Sequence, residues 1–146
     1  MPYQLPHWVW PTALMSVCAI AVWRGHDDER LAAAGILADW ALSLFLFKPN
    51  SEGTQWGVFS VDAALLGLYL WLALRSRRHW PLFAAGFQVL MVATHLGRAV
   101  DAAVSGWAYI TAGLVWAYLV LLAIGYGGWT APRYRKRAAD FEEATP

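Results

Sequence analysis

Little in this chain can form a crosslink, a metal cage or a charged surface. It holds one cysteine, Cys18, which excludes an internal disulfide and every multi-cysteine metal motif. Cys18 lies in an apolar run, where a free thiol packs as a small hydrophobe. Only 14% of the residues are charged, against roughly a quarter in soluble domains. No Lys or Arg precedes Pro11, so the first apolar run lacks the basic region of a secretory signal. Gly and Pro are not gathered into a linker, no internal repeat is present, and 146 residues leave room for one domain. There is no serine nucleophile beside a base, no paired-carboxylate motif and no phosphate-cradling glycine loop. These gaps argue against an enzyme. The basic residues sit beside apolar runs, which argues against nucleic acid as a partner.

What the chain has is hydrophobic length and tryptophan. It is 59% hydrophobic and carries ten tryptophans. Five apolar segments appear, at 3–23, 31–47, 57–74, 80–97 and 107–129. A bilayer span needs roughly 17–25 mostly apolar residues. Helices this apolar in a soluble protein need polar-faced partners to cover them, and none is available here. The expected fold class is an all-α integral membrane protein, a bundle of five transmembrane helices over 1–130. A basic-then-acidic tail follows at 131–146. The bilayer is the first partner this implies.

Orientation follows from the basic residues. Arg24 and Arg30 follow the first span, Arg75, Arg77 and Arg78 follow the third, and Arg133, Arg135, Lys136 and Arg137 follow the fifth. Five spans put these nine on one side and only Lys48 and Arg98 on the other. The positive-inside rule then gives an outside N-terminus and a cytoplasmic C-terminus in an inner (plasma) membrane. Tryptophans mark both interfaces: Trp8, Trp10, Trp56 and Trp107 at outer ends, Trp23, Trp71, Trp80 and Trp129 at inner ends. Trp40 and Trp116 are mid-span and expected between helices.

Polar groups inside such spans point to function. They are Asp39, Asp62, Gln88, His95 and Arg98, with Asp101 just beyond. Helical geometry puts Gln88 and His95 about 20° apart, so Ala84, Gln88, Met91, His95 and Arg98 make one stripe. At about 1.5 Å per residue, Asp39 and Gln88 both lie about 12 Å above the inner surface, and Asp62 and His95 share a higher level. The depths suggest two layers: Asp39 with Gln88 and Ser43, and Asp62 with His95 and Arg98. Asp101 is spaced to pair with Arg98.

Four readings of this cluster compete. As interhelical glue, it fixes the register of a bundle, aided by small residues spaced by four at Ala34/Ala38, Ala63/Gly67, Ala93/Gly97 and Gly113/Ala117. The protein is then an accessory, assembly or self-associating membrane subunit, with membrane-protein partners or copies of itself. As a proton or ion conduit, it uses His95 as relay with Asp62 and Asp39 as acceptors. As a b-type haem site, it draws on His7 with His95, or His26 with His79. As a lipid-modifying enzyme, it uses Asp62, His95 and Arg98 near the outer headgroups. The first is the expectation taken forward; no catalytic residue, cofactor or metal site is assigned.

Overall fold

The computed structural model describes residues 8–48, 53–101 and 103–143, with side chains up to residue 133. These residues form five helices: α1 Val9–Arg24, α2 Asp27–Leu46, α3 Trp56–Arg75, α4 Trp80–Val100 and α5 Gly106–Glu143. Each helix packs on the one before it, and α5 returns to pack on α1, so the five close a ring in chain order. Short connections make consecutive helices neighbours. α2 also touches α5 across the ring, and α3 separates α2 from α4. We call the end where α1, α3 and α5 begin the upper end, and the opposite end the lower.

The helices extend beyond the apolar runs where polar residues can serve a terminus. α2 starts at Asp27 rather than Leu31. The main-chain N–H of His26 donates to Glu29 Oε2 at 2.7 Å, and Asp27, Asp28 and Glu29 fill the first turn. Carboxylates there complement the positive end of the helix. α4 begins with Pro81 in its first turn, where a missing N–H is harmless. α5 continues through Pro132 to Glu143, past the end of the apolar run at 129. The part of the tail expectation that concerns side chains beyond residue 133 lies outside the described residues, as does His7.

Each helix buries one stripe whose members recur at steps of one, three or four residues: Leu14, Cys18 and Ala21 on α1; Ala32, Ala33 and Ile36 on α2; Leu65, Tyr69 and Leu72 on α3; Ala84, Ala85 and Gln88 on α4. This is the 3.6-residue period of a helix face. α5 contributes Val120, Leu121 and Ile124 to the same core. The outer surface is also apolar, with Phe45, Leu74, Leu82, Phe83, Trp107 and Leu122 all exposed. A surface so apolar is foreign to a soluble monomer. α3, α4 and the Gly106–Arg133 part of α5 are long and apolar enough to cross a bilayer, and α1 is a shorter apolar helix.

Gly127 and Gly128 are among the glycines that set how closely helices approach. A Cβ on Gly127 would stand 2.8–2.9 Å from the Trp80 ring, and one on Gly128 would stand 3.2 Å from Ala21 Cα. By contrast, a Cβ on Gly67 meets nothing within 4 Å. Replacing Gly127 with alanine therefore overpacks the α4–α5 seam and costs about 1–3 kcal/mol. Gly67→Ala leaves stability unchanged or slightly raised, because alanine is the better helix former. Thermal melts in detergent check the pair, and a Gly127→Ala protein as stable as Gly67→Ala would contradict the tight seam.

Candidate functional site

The upper polar cluster is centred on Asp62, which belongs to the buried stripe of α3 one turn above Leu65. Gln88 Nε2 donates to Asp62 Oδ1 at 2.8 Å. His95 Nε2 lies 2.9 Å from Asp62 Oδ2, and His95 Nδ1 lies 2.6 Å from Tyr109 Oη. Asp62, Gln88 and His95 are 5%, 2% and 4% exposed. An ionised Asp62 is acceptor-only, so it assigns a proton to His95 Nε2. A neutral imidazole then accepts from the Tyr109 hydroxyl at Nδ1. The result is an ordered string, Tyr109 to His95 to Asp62, crossing from α5 through α4 to α3. The rings of Phe59 and Tyr109 meet the imidazole edge-on, at 5.9 and 5.4 Å between centroids.

The depths drawn from the sequence do not give the right partner for Gln88. They place it with Asp39, yet its amide is spent on Asp62. Equal depth is not enough, because α3 stands between α2 and α4. Asp39 instead faces a cavity of about 200 Å³ that it shares with Ser43, Asp62, His95 and Tyr109. Asp39 Oδ1 and Ser43 Oγ are buried there and meet no hydrogen-bond partner among the described residues. Arg98 is half-buried in the last turn of α4. Asp101 is exposed at the α4 C-cap, and its Oδ1 accepts from Ala103 N–H at 2.8 Å, closing the turn that follows.

A second polar cluster sits at the lower end, and the sequence reading passed over it. Glu29 is 0% exposed. Its Oε1 accepts from Arg78 Nη1 in a buried ion pair. Arg78 Nη2 also donates to Gly127 O at 2.5 Å and to Thr130 Oγ1 at 2.9 Å. The pair thus joins the start of α2, the α3–α4 connection and α5. Its signal was present: Glu29 precedes Ala32, Ala33 and Ile36 at helical spacing, and it closes a capping box three residues after His26. Counting the stretch 24–30 as a charged loop hid both facts.

The remaining histidines are arranged as helix ends. His26 and His79 are exposed N-cap residues of α2 and α4. His95 commits both ring nitrogens to hydrogen bonds, so ligation to haem would break one of them. Among the described residues, no group of three His, Cys, Asp or Glu side chains is placed to hold a metal ion. Comparison with protein-family models, with curated proteins and with solved structures finds no match to this chain.

Breaking the lower pair from one side should be severe. Glu29→Ala leaves the Arg78 guanidinium in a site where its side chain is only 11% exposed, at a cost of about 3 kcal/mol or more. Replacing both, Glu29→Met with Arg78→Met, recovers most of that loss, because an apolar pair carries no stranded charge. Unfolding in mixed detergent micelles measures the cycle. A double variant no better than Glu29→Ala would show that the pair does not act as a unit.

Proposed function

We propose that the chain is a five-span inner-membrane protein, with its N-terminus outside and its C-terminus cytoplasmic. In this reading it acts without catalysis, as an accessory or assembly subunit that associates with itself or with another membrane protein. The observation that carries the reading is a pair of outward faces in which three of four positions are small residues. On α3 the exposed positions Ser60, Ala64, Gly67 and Trp71 follow a 4-3-4 spacing, and on α4 Gly86, Leu90, Ala93 and Gly97 follow the same spacing. A Cβ on Gly67, Gly86 or Gly97 would meet nothing within 4 Å. Lipid offers no hydrophobic drive for helix association, so close approach over small residues is the usual substitute. Packing within one copy uses other glycines, Gly127 and Gly128 among them, and leaves these ridges unused.

The polar groups support the same reading. Across the upper cluster, donors and acceptors on α3, α4 and α5 satisfy one another, as interhelical bonds in a bundle do. A conduit is favoured by one feature, the Tyr109–His95–Asp62 string beside a cavity. Below that cavity, however, lie Ala33, Ile36, Leu65, Ala84 and Ala85, with the Tyr69 hydroxyl among them, before Glu29 and Arg78 are reached. This apolar floor favours the accessory role.

Three measurements test the proposal. With Cys18 replaced by alanine, Lys48→Cys and Ala144→Cys should label from opposite sides of the membrane; labelling from one side overturns the threading. In mild detergent the chain should elute well above its 16.2 kDa monomer or bring a partner with it. Gly67→Ile or Gly97→Ile should reduce that assembly without lowering the melting temperature. A parent protein that is strictly monomeric and co-purifies with nothing would end the association reading. In liposomes, proton flux that is lost in Asp62→Asn would replace it with the conduit.

A further inference from the structure

We propose that the upper cavity is a binding site for a small organic ammonium ion. The inference does not depend on self-association, and it concerns a different part of the molecule from the small-residue faces.

The sign of the charge comes first. Asp39 and Asp62 both line the cavity. Asp62 has each oxygen bonded, to Gln88 and to His95. Asp39 differs: its Oδ1 is buried and meets no donor among the described residues, and Ser43 Oγ, one turn along α2, is in the same condition. Those of the described residues that line the cavity include no Lys or Arg. A buried carboxylate oxygen without a donor is expensive. A bound cation supplies the donor and the opposite charge together, and an ammonium N–H can also reach a hydroxyl such as Ser43.

The walls give the chemical class. Trp10, Trp40 and Tyr109 border the same space as Asp39. Aromatic rings attract a cation through their quadrupole, most strongly when the site is desolvated, and choline-type cations are the usual guests. A bare metal ion gains little from such rings and needs several oxygen ligands, whereas both Asp62 oxygens are already engaged. The volume of about 200 Å³ is below the roughly 300–1,000 Å³ of drug-sized pockets, so the guest is small. The site lies at the upper end, near the starts of α1 and α3, with Gln55 and Phe47 also on its border. In the proposed orientation, entry is from the outside.

The string from Tyr109 to Asp62 is a fixed wall of this site. It keeps both Asp62 oxygens engaged and oriented, while Asp39 is the carboxyl group left for the ligand. Asp39 is thus the contact residue, and Trp10 and Trp40 set the preference for an organic over an inorganic cation.

The test uses the full chain in a nonionic detergent, with tetramethylammonium, choline and phenethylammonium as probes. Equilibrium dialysis should show saturable binding of at least one probe at one site per chain. Asp39→Asn should weaken it tenfold or more, and Trp40→Leu several-fold, with helical content unchanged by circular dichroism. The neutral isostere of choline, 3,3-dimethylbutan-1-ol, should not displace the bound probe, and excess sodium should do so only weakly. Ser43→Ala provides a milder second variant should Asp39→Asn alter folding; it should weaken the same probe two- to threefold. Saturable binding of none of the three probes would overturn the inference. So would binding that survives both Asp39→Asn and Ser43→Ala undiminished, or equal displacement by the neutral isostere.

Discussion

Asp62 ties three helices together with one carboxylate. One oxygen holds Gln88, the other holds His95, and His95 passes the connection on to Tyr109. A charged group in the middle of an apolar bundle leaves few alternatives: it is partnered or it is not tolerated. That demand fixes the rotation of α3, because the stripe carrying Asp62 also carries Leu65, Tyr69 and Leu72 into the core. It fixes α4 in the same way, through Gln88 and His95 in line with Ala84. The hydrophobic packing then follows a rotation that the polar contacts have already selected.

The lower end solves the same problem with different groups. Glu29 and Arg78 come from two places that share no helix, and α5 closes the site with a main-chain carbonyl and a hydroxyl. One end therefore uses a hydrogen-bonded string and leaves a cavity beside it. The other uses a buried ion pair, with Gly127 close against Trp80 and a mostly apolar cavity of about 430 Å³ bordered by Arg78, Trp80, Phe83 and Thr130. What distinguishes the upper cavity is its lining, which holds two carboxylates, Asp39 and Asp62, where the lower one is walled mainly by apolar side chains.

Much of this architecture was legible from residue spacing. The five helices follow from the five apolar runs. That Gln88 and His95 share one face of α4 follows from their small angular separation on a helix; that both meet Asp62 does not. What spacing cannot supply is the order of helices around the ring. Asp39 and Gln88 stand at similar heights, yet α3 lies between their helices. Tyr109 was indistinguishable from the aromatic residues expected near a membrane surface, because nothing in its own neighbourhood marks it as the partner of a histidine fourteen residues earlier. Small residues spaced by four announced close packing, but not which side of the helix would use it: the Ala63/Gly67 and Ala93/Gly97 spacings end at glycines that face away from the bundle.

α5 has 38 residues, about 57 Å of continuous helix at roughly 1.5 Å per residue, nearly twice a hydrocarbon core of about 30 Å. Near its beginning it bears Tyr109, and further along the same rod it bears Gly127 and Thr130. A rigid rod cannot tilt at one end alone. Rocking that stretches the Tyr109–His95 bond also displaces the carbonyl that Arg78 grips. One helix thus anchors both knots of the bundle, giving the hydroxyl that meets His95 above and the carbonyl that Arg78 holds below.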